Sequence, residues 1–209
     1  MNKFEAYGLG ATNVTNLANS TAVLFPLKNI KVVPSTPLCC KSNPFCKEIK
    51  EAKNILEIGC GFGRNVTWII ENTNAKYFGI DPNKSVAASF QERNRRHDKD
   101  RIYFTHEFDE IITENKYDVI LTTYVFQHLA PQPTKLDVMN LNEITEEIFK
   151  VTKPGTIWFL IDHEAEKRHW QRDWFKRFNI KPEIYIKDCQ DFEEIHPIGK
   201  HNLTIFKQK

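Results

Sequence analysis

Short apolar runs alternate with helix-length stretches along most of this chain, and that alternation constrains the fold more than any other property of the sequence. Asn54–Ile58, Lys76–Ile80, Ile102–His106, Tyr117–Thr123 and Thr156–Ile161 each read as a strand with an apolar core. Between and around them lie stretches with helical character. One opens at Asn43-Pro44, an N-cap followed by Pro at the first helical position, and runs through Ala52. Others pass through Trp68, Ile69 and Ile70, and from about Ser85 to Arg96. Leu141, Ile144, Ile148 and Val151 fall at helical spacing before a stop at Lys153-Pro154-Gly155. Trp170, Trp174 and Phe178 form a stripe on a further helix. Strands buried on both faces and followed by crossover helices imply an α/β fold with a mostly parallel sheet. The end of the chain differs. Ile184–Lys187 and Leu203–Lys207 have no helix between them, only Pro197-Ile198-Gly199, and read as an antiparallel closing pair. No internal repeat and no second domain is visible.

Composition excludes other classes. The chain has 209 residues, 41% hydrophobic, with 15 Phe, 4 Trp and 6 Tyr, enough apolar area to offset the entropy of ordering one domain. Lys+Arg 29 against Asp+Glu 27 leaves a net charge of +2, so no global field favours nucleic acid or an anionic membrane. The opening MNKFEAYGLGATNV lacks a basic-then-apolar signal. Apolar runs such as Ile157–Ile161 are far short of the ~20 residues of a spanning helix. Five cysteines, Cys39, Cys40, Cys46, Cys60 and Cys189, are few and odd in number, which suits a reducing compartment. The expected location is the cytoplasm. Residues 1–42, rich in Asn, Thr, Ser, Gly and Pro, read as a leader or cap, and 43–209 as the domain.

In an open parallel sheet ligands bind beyond the carboxyl ends of the strands. The first strand-to-helix turn there reads E-I-G-C-G-F-G, residues 57–63. Gly59 and Gly61 permit positive φ and a close backbone approach to a ligand. Asp81, at the end of the next strand, is placed to accept hydrogen bonds from ribose hydroxyls. An adenosine-containing cofactor follows. The dinucleotide fingerprint G-x-G-x-x-G is not met, because the glycines run G-x-G-x-G and Arg64 stands where the last Gly of that turn would be. Glu57 beside the same turn favours a ligand with a cationic amino group over one with a pyrophosphate. No G-K-[ST] follows, which excludes a Walker loop.

ILEIGCGFGRN resembles the glycine-rich first motif of the class I S-adenosylmethionine-dependent methyltransferases, and GIDPNKS resembles their ribose-binding motif. The stretch Tyr117–Leu129, ending Phe126-Gln127-His128-Leu129, is similar to the fourth-strand motif of the small-molecule branch. Val151-Thr152-Lys153-Pro154-Gly155 resembles the approach to the fifth strand. The match covers roughly Asn43 to Lys207. It implies a Rossmann-like, seven-stranded, mostly parallel sheet in the order 3-2-1-4-5-7-6, with strand 7 antiparallel and helices on both faces. It also implies S-adenosyl-L-methionine as cofactor, contacted by Glu57, Gly59, Cys60, Gly61, Gly63, Asp81, Pro82, Thr123 and Tyr124. An acidic residue and an apolar one after the third strand would meet the adenine. Counting back from Tyr117-Asp118 puts Glu107 and Phe108 there, and counting forward from the strand puts Phe108 and Asp109 there. Glu107 with Phe108 is preferred, since Ile111 then takes the family's apolar position.

Methyl displacement asks mainly for positioning. An acceptor protonated at neutral pH also needs a general base, for which His128, past the fourth strand, and His163, beside Asp162 on the fifth, are the candidates. Each also reads as a loop histidine that merely packs or hydrogen-bonds. No metal is expected, because Asp162 alone is too little for a hard-cation site. Cys39, Cys40 and Cys46 lack zinc-ligand spacing and read as structural or incidental thiols, while Cys60 acts through its backbone. The basic aromatic segment Lys167–Phe178 reads as a core-facing helix with a solvated side, not a nucleic-acid groove. The sequence therefore points to an S-adenosylmethionine-dependent methyltransferase with a small-molecule acceptor and no membrane or nucleic-acid partner. Two alternatives stay open: an RNA or protein acceptor, and a non-catalytic cofactor-binding regulator or partner protein of the same fold. Oligomeric state is not readable.

Overall fold

The computed structural model describes residues 45–107, 110, 117–123, 125, 141–163, 176–178, 184–186 and 201–208. Its strands are β1 (Asn54–Ile58), β2 (Lys76–Ile80), β3 (Ile102–Thr105), β4 (Val119–Thr123), β5 (Ile157–His163), β6 (Ile184–Ile186) and β7 (His201–Lys207). Its helices are α1 (Cys46–Glu51), α2 (Val66–Asn72), α3 (Val86–Asn94) and α4 (Leu141–Val151), with a 3-10 turn at Lys99–Arg101. The sheet has seven strands in the order β3-β2-β1-β4-β5-β7-β6. All neighbours pair in parallel except β7, which is antiparallel to both β5 and β6. This is the expected order and the expected reversed strand.

The near-continuous apolar runs are explained by helices on both faces. Ile55, Tyr77, Val119, Leu121, Ile157, Phe159 and Ile205 pack with Ile49 of α1, Val66 and Ile69 of α2 and Phe90 of α3. The alternate residues Leu56, Ile58, Ile80, Ile120, Trp158, Leu160 and Phe206 pack on the other face with Ile144, Ile148 and Val151 of α4. Side chains on a strand alternate between faces, so a strand covered on both sides has no polar position to spare. Ile58 is opposite Ile80, Ile80 opposite Thr105, and Ile58 opposite Thr122. That register places the turns after β1, β2, β3 and β4 along one edge of the sheet.

Several boundaries move. The first helix begins at Cys46 after Phe45, without a side-chain cap, and Asn43 and Pro44 lie outside the described residues, as does the leader 1–42. β3 ends at Thr105, with His106 in a bend. β5 runs on to His163 and β7 begins at His201, because the antiparallel pair continues through Asp162 opposite Asn202 and His163 opposite His201. Cys46 is disulfide-bonded, against the expectation of reduced thiols throughout. Of the basic aromatic segment, Lys176 and Arg177 are exposed and Phe178 packs against the cluster on the α4 face. No helix among the described residues is long and apolar enough to cross a membrane.

At the opposite edge Asp118 fastens the strand starts. Its Oδ2 accepts the N–H groups of Lys53 and Asn54 at 2.7 and 2.9 Å, and its Oδ1 meets Lys153 Nζ at 2.5 Å. Asp118→Ala removes two backbone hydrogen bonds to a charged acceptor and should cost about 1–3 kcal/mol of stability, read from the midpoint of denaturant unfolding. An unchanged midpoint would show that solvent replaces all three contacts.

Candidate methyl-donor site

The turn after β1 is shaped by positive backbone angles and closed by β2. Gly59, Gly61 and Gly63 have φ of 70°, 51° and 72°. The carbonyl oxygen of Ile80 accepts from the N–H of both Gly59 and Cys60, at 2.8 and 3.0 Å. Asp81 Oδ2 accepts from Gly61 N–H at 2.8 Å, and Oδ1 from Asn83 N–H at 2.9 Å. The glycines differ in what surrounds them. A Cβ at Gly63 would lie 2.6 Å from Phe90 and 2.8 Å from both Asn94 and Val66, so this residue seats the turn against α2 and α3. A Cβ at Gly61 would meet nothing within 4 Å: there the backbone faces open space beside the Asp81 carboxylate.

Asp81 is half-buried and its pKa is raised, by burial above all, against the pull of the Asn83 and Gly61 amides and the nearby His106. No cation pairs with it among the described residues. His106 lies directly behind it, its Nδ1–H donating to the Asp81 carbonyl oxygen at 2.8 Å and its ring edge-on to Phe104. Glu107, half-buried, follows with its N–H on Thr105 Oγ1 at 3.0 Å.

Glu57 is more deeply set than the sequence suggests. It is 2% exposed, and both carboxylate oxygens are taken: Asn65 Nδ2 donates to Oε1 at 2.7 Å and the Tyr77 hydroxyl to Oε2 at 2.5 Å. Glu57 is thus tied to the end of the turn by Asn65 and to β2 by Tyr77. Burial pushes its pKa up to about 7, although Tyr77 and Asn65 stabilise the charged form. Gly79, opposite Glu57 in the register, makes room for this group, since a Cβ there would lie 2.8 Å from Cys60 Sγ and 3.0 Å from the Tyr77 ring. The buried Cys60 thiol is likewise pushed up by burial, and it is the Cys60 N–H that holds the turn.

Residues 56–157 match the methyltransferase domain family. That match covers just under half of the chain, and the chain is similar to class I S-adenosylmethionine-dependent methyltransferases. It is 29% identical over 153 residues to a phosphoethanolamine N-methyltransferase of Plasmodium falciparum, covering 71% of this chain and 53% of that protein. The chain spans little more than half the length of the curated relatives it matches. Among solved structures, mitomycin 7-O-methyltransferase superposes with a TM-score of 0.58 at 14% identity, over 80% of this chain and 51% of that one. An S-adenosylmethionine-dependent methyltransferase of Aquifex aeolicus gives 0.56 at 17% identity, over 83% and 93%. At these identities the two structures show a shared fold.

Gly59, Cys60, Gly61, Gly63, Asp81, Pro82, Glu107 and Thr123 lie along one sheet edge, with Glu57 beneath them. His163 is the last residue of β5, three strands from Asp81 in the sheet order. Phe108, Tyr124 and His128 lie outside the described residues. Sequence reasoning missed Asn65, Tyr77 and His106. Gly79 was the available signal for Tyr77, since a lone glycine in a strand marks a close approach by something else.

Two predictions follow from these contacts. Gly63→Ala should lose clearly more stability than Gly61→Ala, because both carry left-handed strain of about 1–2 kcal/mol but only the first adds a clash. Equal losses would show that the packing around Gly63 yields freely. For Glu57, a folded pKa near 7 against an ordinary 4.5 means the folded chain keeps a proton that the unfolded chain has released. Stability should therefore fall by roughly 3 kcal/mol as pH rises from about 4.5 to about 7. In Glu57→Gln that part of the slope should vanish in guanidinium unfolding at pH 5 and 7.5, and an identical slope would refute the assignment.

Proposed function

We propose that this chain transfers a methyl group from S-adenosylmethionine to a small-molecule acceptor. The observation that carries the reading is the Asp81 carboxylate beside the open face of Gly61. A carboxylate has about four acceptor positions, and the Gly61 and Asn83 amides use two. The other two suit the paired hydroxyls of a ribose, whose donors would then restore the charge stabilisation that burial has removed. Gly61, with no Cβ, lets the cofactor lie against the turn. S-adenosylmethionine, when bound, supplies a sulfonium methyl that an acceptor heteroatom takes as the carbon–sulfur electron pair leaves with the thioether.

The remaining roles belong to the chain. Glu57, Asn65 and Tyr77 hold the floor of the turn and set its polarity under the cofactor's amino acid end. Glu107 and Phe108 flank the adenine, with His106 fixing the bend before Glu107. Pro82, Thr123 and Tyr124 complete the cofactor contacts. His128 and His163 are the bases available to an acceptor that must lose a proton. A net charge of +2 suits a small acceptor better than a polyanion. So does the likeness to a phosphoethanolamine N-methyltransferase, a protein named for a small amine.

Calorimetry tests the site. S-adenosylmethionine should bind and NADH should not, and Asp81→Ala should weaken the cofactor by about 1–3 kcal/mol, with folding checked by circular dichroism. Unchanged affinity in a folded Asp81→Ala chain, or NADH bound in place of S-adenosylmethionine, would overturn the assignment.

A further inference from the structure

The antiparallel ladder of β5 and β7 ends in two histidines at facing positions, His163 opposite His201. This ladder outlasts its parallel neighbour. β4 pairs with β5 as far as Thr123 opposite Ile161, and the pairs Asp162–Asn202 and His163–His201 stand beyond that point. The two-stranded end therefore projects past the edge at which β1, β2 and β4 stop.

Alternation along the strands sets which residues share a face. On the face packed by α1, α2 and α3 the pairs run Phe159–Ile205, Ile161–Leu203 and then His163–His201, so apolar pairs give way to imidazoles at the last one. Asp162 and Asn202 fall on the other face. Residues directly opposite on antiparallel strands have Cβ atoms about 4.5–5.5 Å apart. Two imidazole nitrogens sharing one zinc ion, each about 2.0–2.1 Å from it, are roughly 3 Å apart, a span that histidines at such positions can close. Like charges at directly opposite positions are destabilising, so the pair is poorly suited to hold two imidazolium ions. Neutral imidazoles are instead ligands for zinc, nickel and copper, whereas magnesium and calcium prefer oxygen.

We propose that His163 and His201 form a chelating site for a divalent transition-metal ion, zinc in the first instance, at the projecting end of the β5–β7 ladder. Two protein ligands leave two positions of a tetrahedral ion to water. Asp162 alone does not make a hard-cation site, and the histidine pair does not need it. Past Ile161 the two strands pair only with each other among the described residues, so an ion bridging them adds its binding energy to the stability of this end. The site lies three strands, about 14 Å, from Asp81 along the sheet, and it does not rest on the methyl-donor reading. It bears on that reading in one respect: a bound ion takes the nitrogen lone pair with which His163 would accept a proton.

The probe is zinc chloride alone, titrated into the full-length, isotope-labelled chain while backbone amide shifts are followed. One equivalent should bind, with saturable shifts at Asp162, His163, His201 and Asn202, and magnesium chloride should produce none. His163→Gln and His201→Gln, each checked for folding by circular dichroism, should bind zinc roughly tenfold less tightly. The double variant should be no weaker than either single one, because one histidine alone does not chelate. No saturable shifts, shifts confined to the segments that hold Cys39, Cys40 and Cys189, or unchanged zinc affinity in a folded His201→Gln chain would each overturn the proposal. If S-adenosylmethionine binds while zinc moves none of these four amides, the methyl-donor reading stands and the metal site falls.

Discussion

The glycine turn keeps its shape because the end of β2 answers its amides. Ile80 takes two of them through its carbonyl oxygen and Asp81 takes a third through its carboxylate. A turn with three glycines in the left-handed region has little intrinsic preference for one conformation, since glycine loses more freedom on ordering than any other residue. The parallel register supplies what the turn lacks. Ile58 opposite Ile80 brings the two strand ends level, and one residue of slip would turn Asp81 away from the turn. The chemistry proposed at this edge therefore depends on a backbone pairing formed entirely within the sheet.

Beneath the turn the structure accepts a cost. Glu57 occupies a strand position where every neighbour along β1 from Ile55 onward is buried and apolar, and burial raises its pKa to about 7. Tyr77 and Asn65 offset part of it, and Gly79 gives up a side chain to let Tyr77 in. A strand that broke its apolar run for stability alone would gain nothing from this arrangement. Local conflict of this kind belongs to functional sites, where stability is exchanged for a polar group held in a fixed place.

Much of this was legible in the chain, for identifiable reasons. Asn54–Ile58 and Lys76–Ile80 are bounded by charge, glycine and proline, so their ends are marked locally and both strands fall where expected. The closing antiparallel pair was visible because no helix-length segment separates it, yet its full extent at His163 and His201 was not, since ladder partners are a property of two strands. The roles of Asn65, Tyr77 and His106 were hidden for the same reason. Each acts through a contact across 8, 20 or 25 residues of sequence that only the register brings together. Gly61 and Asp81 were legible because a glycine-rich turn and an acid after the next strand are paired by the βαβ unit itself. Glu57 was half legible: the sequence showed a carboxylate beside the turn, and the structure shows it buried and hydrogen-bonded to Asn65 and Tyr77.

The central claim is that one sheet edge, built on Gly61 and Asp81, holds an adenosine-containing methyl donor. The most direct test is a co-crystal structure with S-adenosylhomocysteine. Both ribose hydroxyls should lie within hydrogen-bond distance of the Asp81 carboxylate, with the backbone of Gly61 against the ligand and the adenine beside Glu107. A ligand bound elsewhere on the chain, or at this edge with its ribose away from Asp81, would contradict the account.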